Sequence, residues 1–134
     1  MATLEKIEGI GPKYGAQLAR MGIKTTQALL KRGAEPRGRK EIEEASGIGH
    51  ALVLEWVNLA DLFRIKGVGE EYSDLLEEAG VDTVVELSNR RADNLYQKIM
   101  EINKVKKLVR RPPSEGMVAD WIAQAKKLPR IVKY

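Results

Sequence analysis

The chain has 134 residues, 43% hydrophobic and 31% charged, and 23 Lys and Arg against 19 Asp and Glu leave a net charge of +4. With no cysteine and a single histidine, His50, disulfides, thiolate metal sites, iron–sulfur clusters, thiol nucleophiles and His-rich metal sites are excluded. The apolar stretches fall well short of the roughly 18 residues a membrane span needs. The opening Met1-Ala2-Thr3-Leu4-Glu5-Lys6 lacks the basic-then-apolar pattern of a secretory signal, so the expectation is a soluble, cytoplasmic protein with no membrane partner.

In chain order the pattern is helical. Pro12 suits a first helical position, and Tyr14, Leu18 and Met21 recur at helical spacing as far as Gly22, a C′ residue. Thr25 caps a second helix carrying Leu29 and Leu30, and Gly33 to Gly38, around Pro36, reads as a loop. From about Gly49 to Phe63 a longer helix carries Leu52, Trp56, Leu59 and Phe63 at three- and four-residue steps. Thr83-Val84-Val85-Glu86 has the capping-box pattern, Leu95, Ile99 and Ile102 mark a further helix, and Val118, Trp121, Ile122 and Ala125 mark the last. The strand signals at Val84-Val85 and Ile131-Val132 are too short to compete, which predicts an all-α fold.

Self-comparison gives the organisation. Ile7-Glu8-Gly9-Ile10-Gly11-Pro12-Lys13-Tyr14 recurs 58 residues later as Ile65-Lys66-Gly67-Val68-Gly69-Glu70-Glu71-Tyr72. At the same offset Leu18 matches Leu76, Gly22 Gly80, Ile23 Val81, Thr25 Thr83 and Leu29 Leu87. Further on, Glu55-Trp56-Val57 resembles Asp120-Trp121-Ile122 at an offset larger by about seven, which implies an insertion around Pro112-Pro113-Ser114. The reading is a duplicated unit, residues 1–64 and 65–134, with the two pseudo-repeats packed as one compact helical domain.

Three segments carry an apolar-Gly-apolar-Gly pattern or a close variant: Ile7 to Gly11, Ala45 to Gly49 and Ile65 to Gly69. They resemble helix-hairpin-helix motifs, and nearly the whole chain is similar to an uncharacterised family, a domain of unknown function, built from duplicated helix-hairpin-helix units. A fourth hairpin, expected near Arg110 to Met117, retains only Gly116. Glycines let a backbone turn sharply and approach a ligand, and the helix N-terminus that follows presents open N–H groups and positive dipole to an anion. The resemblance implies non-sequence-specific gripping of duplex or branched DNA through its phosphates. It also implies that some hairpins hold a monovalent cation by their carbonyls; no other cofactor is expected.

Charge separates the copies. Gly9, Ile10 and Gly11 are followed by Lys13, and Gly47, Ile48 and Gly49 by His50, with Arg37, Arg39 and Lys40 upstream; these are the candidate phosphate-binding residues. Gly67, Val68 and Gly69 precede Glu70 and Glu71, and the stretch from Lys66 to Glu101 has nine acids and four bases, which repels phosphate, so this hairpin reads as structural. Lys104, Lys106, Lys107, Arg110 and Arg111 form the densest basic run, readable as a solvated loop, a second phosphate patch, a site for an acidic protein partner, or a counterweight to the acidic stretch. Trp56 and Trp121, at equivalent positions on apolar faces, read as core anchors. No nucleophile motif, phosphate-binding loop or paired acid and base is present, so catalytic and metal residues are not expected. The leading expectation is a non-enzymatic DNA-backbone binder; the alternative is a protein–protein interaction or scaffold module whose hairpins are purely structural.

Overall fold

The computed structural model describes residues 3–134; Met1 and Ala2, the start of the segment weighed above as a signal, lie outside the described residues. Among these the chain is all-helical. A short 3-10 turn, Leu4–Lys6, precedes α1 (Pro12–Ala19), α2 (Thr26–Gly33), α3 (Pro36–Ser46), α4 (His50–Leu62), α5 (Glu70–Glu78), α6 (Val84–Ser88), α7 (Ala92–Lys106) and α8 (Glu115–Lys127). The only β-type pairing among the described residues is an isolated bridge between Thr3 and Thr25. Among the described residues no helix is long and apolar enough to cross a membrane.

The chain divides into two compact units. One runs up to Asp61 and takes in Arg130–Tyr134; the other is Leu62–Pro129. In the first unit Ile7, Leu18, Ile23, Leu29, Ile42, Val57 and Trp56 are buried. In the second, Leu75, Leu76, Val81, Leu87, Leu95, Ile99 and Val118 are buried with Trp121.

The helix boundaries follow from local chemistry. Ala28 N–H donates to Thr25 Oγ1 at 3.0 Å and Glu86 N–H to Thr83 Oγ1 at 3.3 Å, so both threonines satisfy an otherwise open first-turn amide. Gly22 and Gly80 both take positive φ, 81° and 91°, just after α1 and α5. There Ile23 N–H reaches back to Leu18 O (3.0 Å) and Val81 N–H to Leu76 O (2.9 Å), closing the same αL exit in each unit.

The stretch from Gly33 to Gly38 is not the loop that its glycines and Pro36 suggest. α2 runs to Gly33 and α3 begins at Pro36, leaving only Ala34 and Glu35 between them. Both glycines are there for proximity. A Cβ on Gly38 would sit 1.9 Å from the Arg32 carbonyl oxygen, and one on Gly33 would sit 2.4 Å from Val57 Cγ2. Pro36 opens α3 as a helix-starting proline.

Candidate functional site

The first glycine turn is built from its floor upward. Ile10 N–H donates to Ile7 O at 3.1 Å, and Ile7 and Ile10 are both buried, which pins the turn to the core. Gly9 lies at φ +94°, and a Cβ there would meet Trp56 Nε1 at 3.2 Å, so the indole edge sits directly under the backbone. The Tyr14 ring tilts against Trp56, with centroids 5.1 Å apart. Gly9 is thus fixed by both conformation and space.

Gly11 differs. Its φ is −88°, and nothing lies within 4 Å of a Cβ built on it, so the fold itself does not require a glycine. It is exposed and serves as the N-cap of α1, where no side chain bonds the first-turn amides. A Ser, Thr or Asp at that position would close those donors; glycine leaves them open to an external acceptor. Lys13, exposed and without an ion-pair partner among the described residues, is the second residue of the helix.

At the second turn Gly47 ends α3 in the left-handed region (φ +74°), and its N–H donates to Glu43 O. Ser46 Oγ accepts from Ile48 N–H at 3.1 Å, and Ile48 is buried. Gly49 is exposed and, like Gly11, has no neighbour within 4 Å of a Cβ. His50 opens α4 with its ring Nδ1 2.9 Å from a Glu43 carboxylate oxygen, so an acid accompanies the imidazole at this turn.

The basic run does not join that turn. Arg37, Arg39 and Lys40 lie in the first turns of α3 and Gly47 at its end, so seven to ten residues of helix, about 10–15 Å, separate them. Arg39 is corrected altogether as a phosphate contact. It is 3% exposed. Its guanidinium donates to the carbonyls of Gly33 (2.8 Å), Ala34 (3.2 Å) and Lys133 (2.8 Å), and it lies 5.7 Å from the Tyr134 ring centre. It caps the end of α2 and ties down the C-terminal segment of the first unit. Arg37 is exposed and 3.7 Å from Glu41, and Lys40 is exposed with no ion-pair partner among the described residues.

The third turn reproduces the first in detail. Gly67 has φ +94° and a Cβ there would meet Trp121 Nε1 at 3.2 Å; Val68 N–H donates to Ile65 O at 3.1 Å; Tyr72 tilts against Trp121 at 5.2 Å. Gly69 caps α5 without a side-chain bond. The chemistry is reversed, because the first two helical residues are Glu70 and Glu71, which occupy the positive end of the helix themselves. Gln124 adds a tie absent from the sequence reading: its Oε1 accepts from Lys66 N–H (2.8 Å) and its Nε2 donates to Lys66 O (3.1 Å).

The fourth hairpin was expected near Arg110 to Met117; ahead of that stretch α7 ends on Lys107, in the left-handed region at φ 52°, ψ 46°. Gly116 is no remnant of the turn; it is the second residue of α8, which Ser114 caps through Met117 N–H. Lys106 pairs with Glu78, beside Asp74 and Glu77, and its ammonium holds its proton more tightly than an ordinary lysine, chiefly through the Glu78 hydrogen bond. An open groove of about 550 Å³ in the second unit is lined by Arg90, Arg91 and Lys126 with Asp93 and Glu115. Arg90 is engaged with Glu86 and Arg91 with Asp93.

The chain belongs to the family described as "Domain of unknown function (DUF4332)", which it matches over residues 8–128. No solved structure matches it.

Proposed function

We propose that the glycine turns are helix-hairpin-helix motifs, that the two units descend from a duplication, and that the protein is a non-enzymatic binder of the DNA backbone without sequence preference. The observation that carries this reading is Gly11. It is exposed, is not demanded by the fold, and leaves the α1 amides uncapped beside Lys13. Backbone N–H groups at a helix N-terminus next to a free cation form a phosphate-binding arrangement, and such contacts position a duplex without reading its bases. Gly49 supplies a second, weaker site, tempered by Glu43. Arg37 and Lys40 contribute long-range attraction rather than contacts at that turn. The Gly67–Gly69 turn serves as architecture in this reading, since Glu70 and Glu71 repel phosphate.

The test uses Gly11→Asp. An aspartate N-cap closes the α1 amides and adds a negative charge, so the thermal midpoint holds or rises while duplex affinity falls at least tenfold. Lys13→Glu has the same effect on binding. Unchanged binding by both variants, with their helicity intact, would exclude the first turn as the phosphate site.

A further inference from the structure

We infer that the segment Lys104–Arg111 is a second nucleic-acid phosphate contact, carried by the second unit; this rests on the reading that the protein binds nucleic acid. The segment is held at its backbone. Buried Asn103 accepts from Val109 N–H (2.9 Å) and donates to Val109 O (3.2 Å), and the Tyr72 hydroxyl donates to Arg111 O (2.8 Å). Val109 and Pro113 are buried. Lys104, Lys107, Arg110 and Arg111 are all exposed on this fixed support, and none has an acidic partner among the described residues. Lys106 alone is spent on Glu78. The run is therefore neither a loose solvated loop nor a general counterweight to the acidic stretch. It presents four free cations on a preorganised backbone, which lowers the entropy lost on binding.

Lys107 sharpens the inference. It is the only non-glycine residue with positive φ among those described, and it ends α7 in the conformation that Gly47 takes at the end of α3. Glycine adopts that conformation without strain and lysine does not. A strained lysine in a cluster of unpaired cations points to a role for its side chain. The repeating charge of a phosphate backbone matches such a cluster, with the two arginines able to fork onto phosphate oxygens. A lipid surface fits poorly, because Val105 is the sole exposed large hydrophobic residue in the segment.

The experiment measures binding of labelled 20-base-pair duplex to the full chain by fluorescence anisotropy across a salt series, with helicity checked by circular dichroism. Replacing Lys104, Lys107, Arg110 and Arg111 together by serine should weaken binding at least tenfold and flatten the slope of log affinity against log salt by about 3.6, roughly 0.9 for each of the four contacts. Lys107→Gly alone should raise the thermal midpoint by about 3–6 °C while lowering affinity several-fold. Binding by the quadruple variant equal to wild type overturns the inference and leaves the first-turn reading standing. If instead Lys13→Glu binds normally and the quadruple variant does not, the first-turn reading fails and this one holds. Displacement by poly-glutamate as effective as by duplex at equal charge overturns it in favour of an acidic protein partner.

Discussion

Arg39 sits in a basic run and does structural work, which makes it the sharpest point at which charge pattern and fold give opposite expectations. Its three hydrogen bonds all end on carbonyls, two of them at the end of α2 and one on Lys133. Hydrogen bonds from a charged donor contribute about 1.5–3 kcal/mol each, and burial of the guanidinium offsets part of that total. Arg39→Met keeps the aliphatic bulk and removes all three bonds, taking the guanidinium from the Gly33 and Lys133 carbonyls, while Ala34 O keeps its bond from Lys133 N–H (2.7 Å). The expected loss is about 3 kcal/mol. For a unit of this size that lowers the thermal midpoint by roughly 10 °C or more. Arg39→Lys, with a compact ammonium in place of a planar fork, should fall between. Urea and thermal unfolding followed at 222 nm measure the effect. At a temperature where the variant is folded, duplex affinity should match wild type within about twofold. A stability loss below about 1 kcal/mol, or a selective loss of binding, would refute the assignment of Arg39 as a clamp.

Other outcomes follow from the packing. Gly38→Ala improves helix propensity by about 1 kcal/mol, yet the new Cβ meets the Arg32 carbonyl at 1.9 Å, so a net loss of about 1–3 kcal/mol is expected in urea melts. Stabilisation would show that α2 and α3 do not approach as described. Asn103→Ala strands both backbone groups of buried Val109 and should cost about 2–4 kcal/mol, with faster amide exchange at Val109; unchanged exchange would contradict the tie. Thr25→Ala removes the α2 cap and should cost about 1 kcal/mol, with Thr25→Ser retaining most of it. Equal losses for alanine and serine would place the effect in the methyl group rather than the hydroxyl.

Features set by backbone conformation were legible in the sequence. The turns at Gly9 and Gly67, the αL exits at Gly22 and Gly80 and the caps at Thr25 and Thr83 recur at one offset, because each needs a particular residue type at a fixed distance from a helix end. Features set by direction were not. Nothing in Arg37-Gly38-Arg39-Lys40 marks the second arginine as the one that turns inward, since its partners Gly33, Ala34 and Lys133 are identified only by the fold. Gly33 and Gly38 suggested a loop because glycine is ambiguous between flexibility and close approach, and here helix contacts use the second. The separation of the basic run from the Gly47 turn follows once α3 is known to be continuous between them. Gly116 misled in the same way: it suggested the remains of a hairpin, and it lies inside α8 instead.

The central claim is backbone recognition, and the salt dependence of duplex affinity addresses it most directly. Two 20-base-pair duplexes of unrelated sequence, titrated between about 25 and 200 mM salt, should bind with closely similar affinity, near micromolar at the low end, and weaken linearly in log–log form with a slope of at least about −2. No binding at about 50 mM salt, or an affinity indifferent to salt, would contradict it.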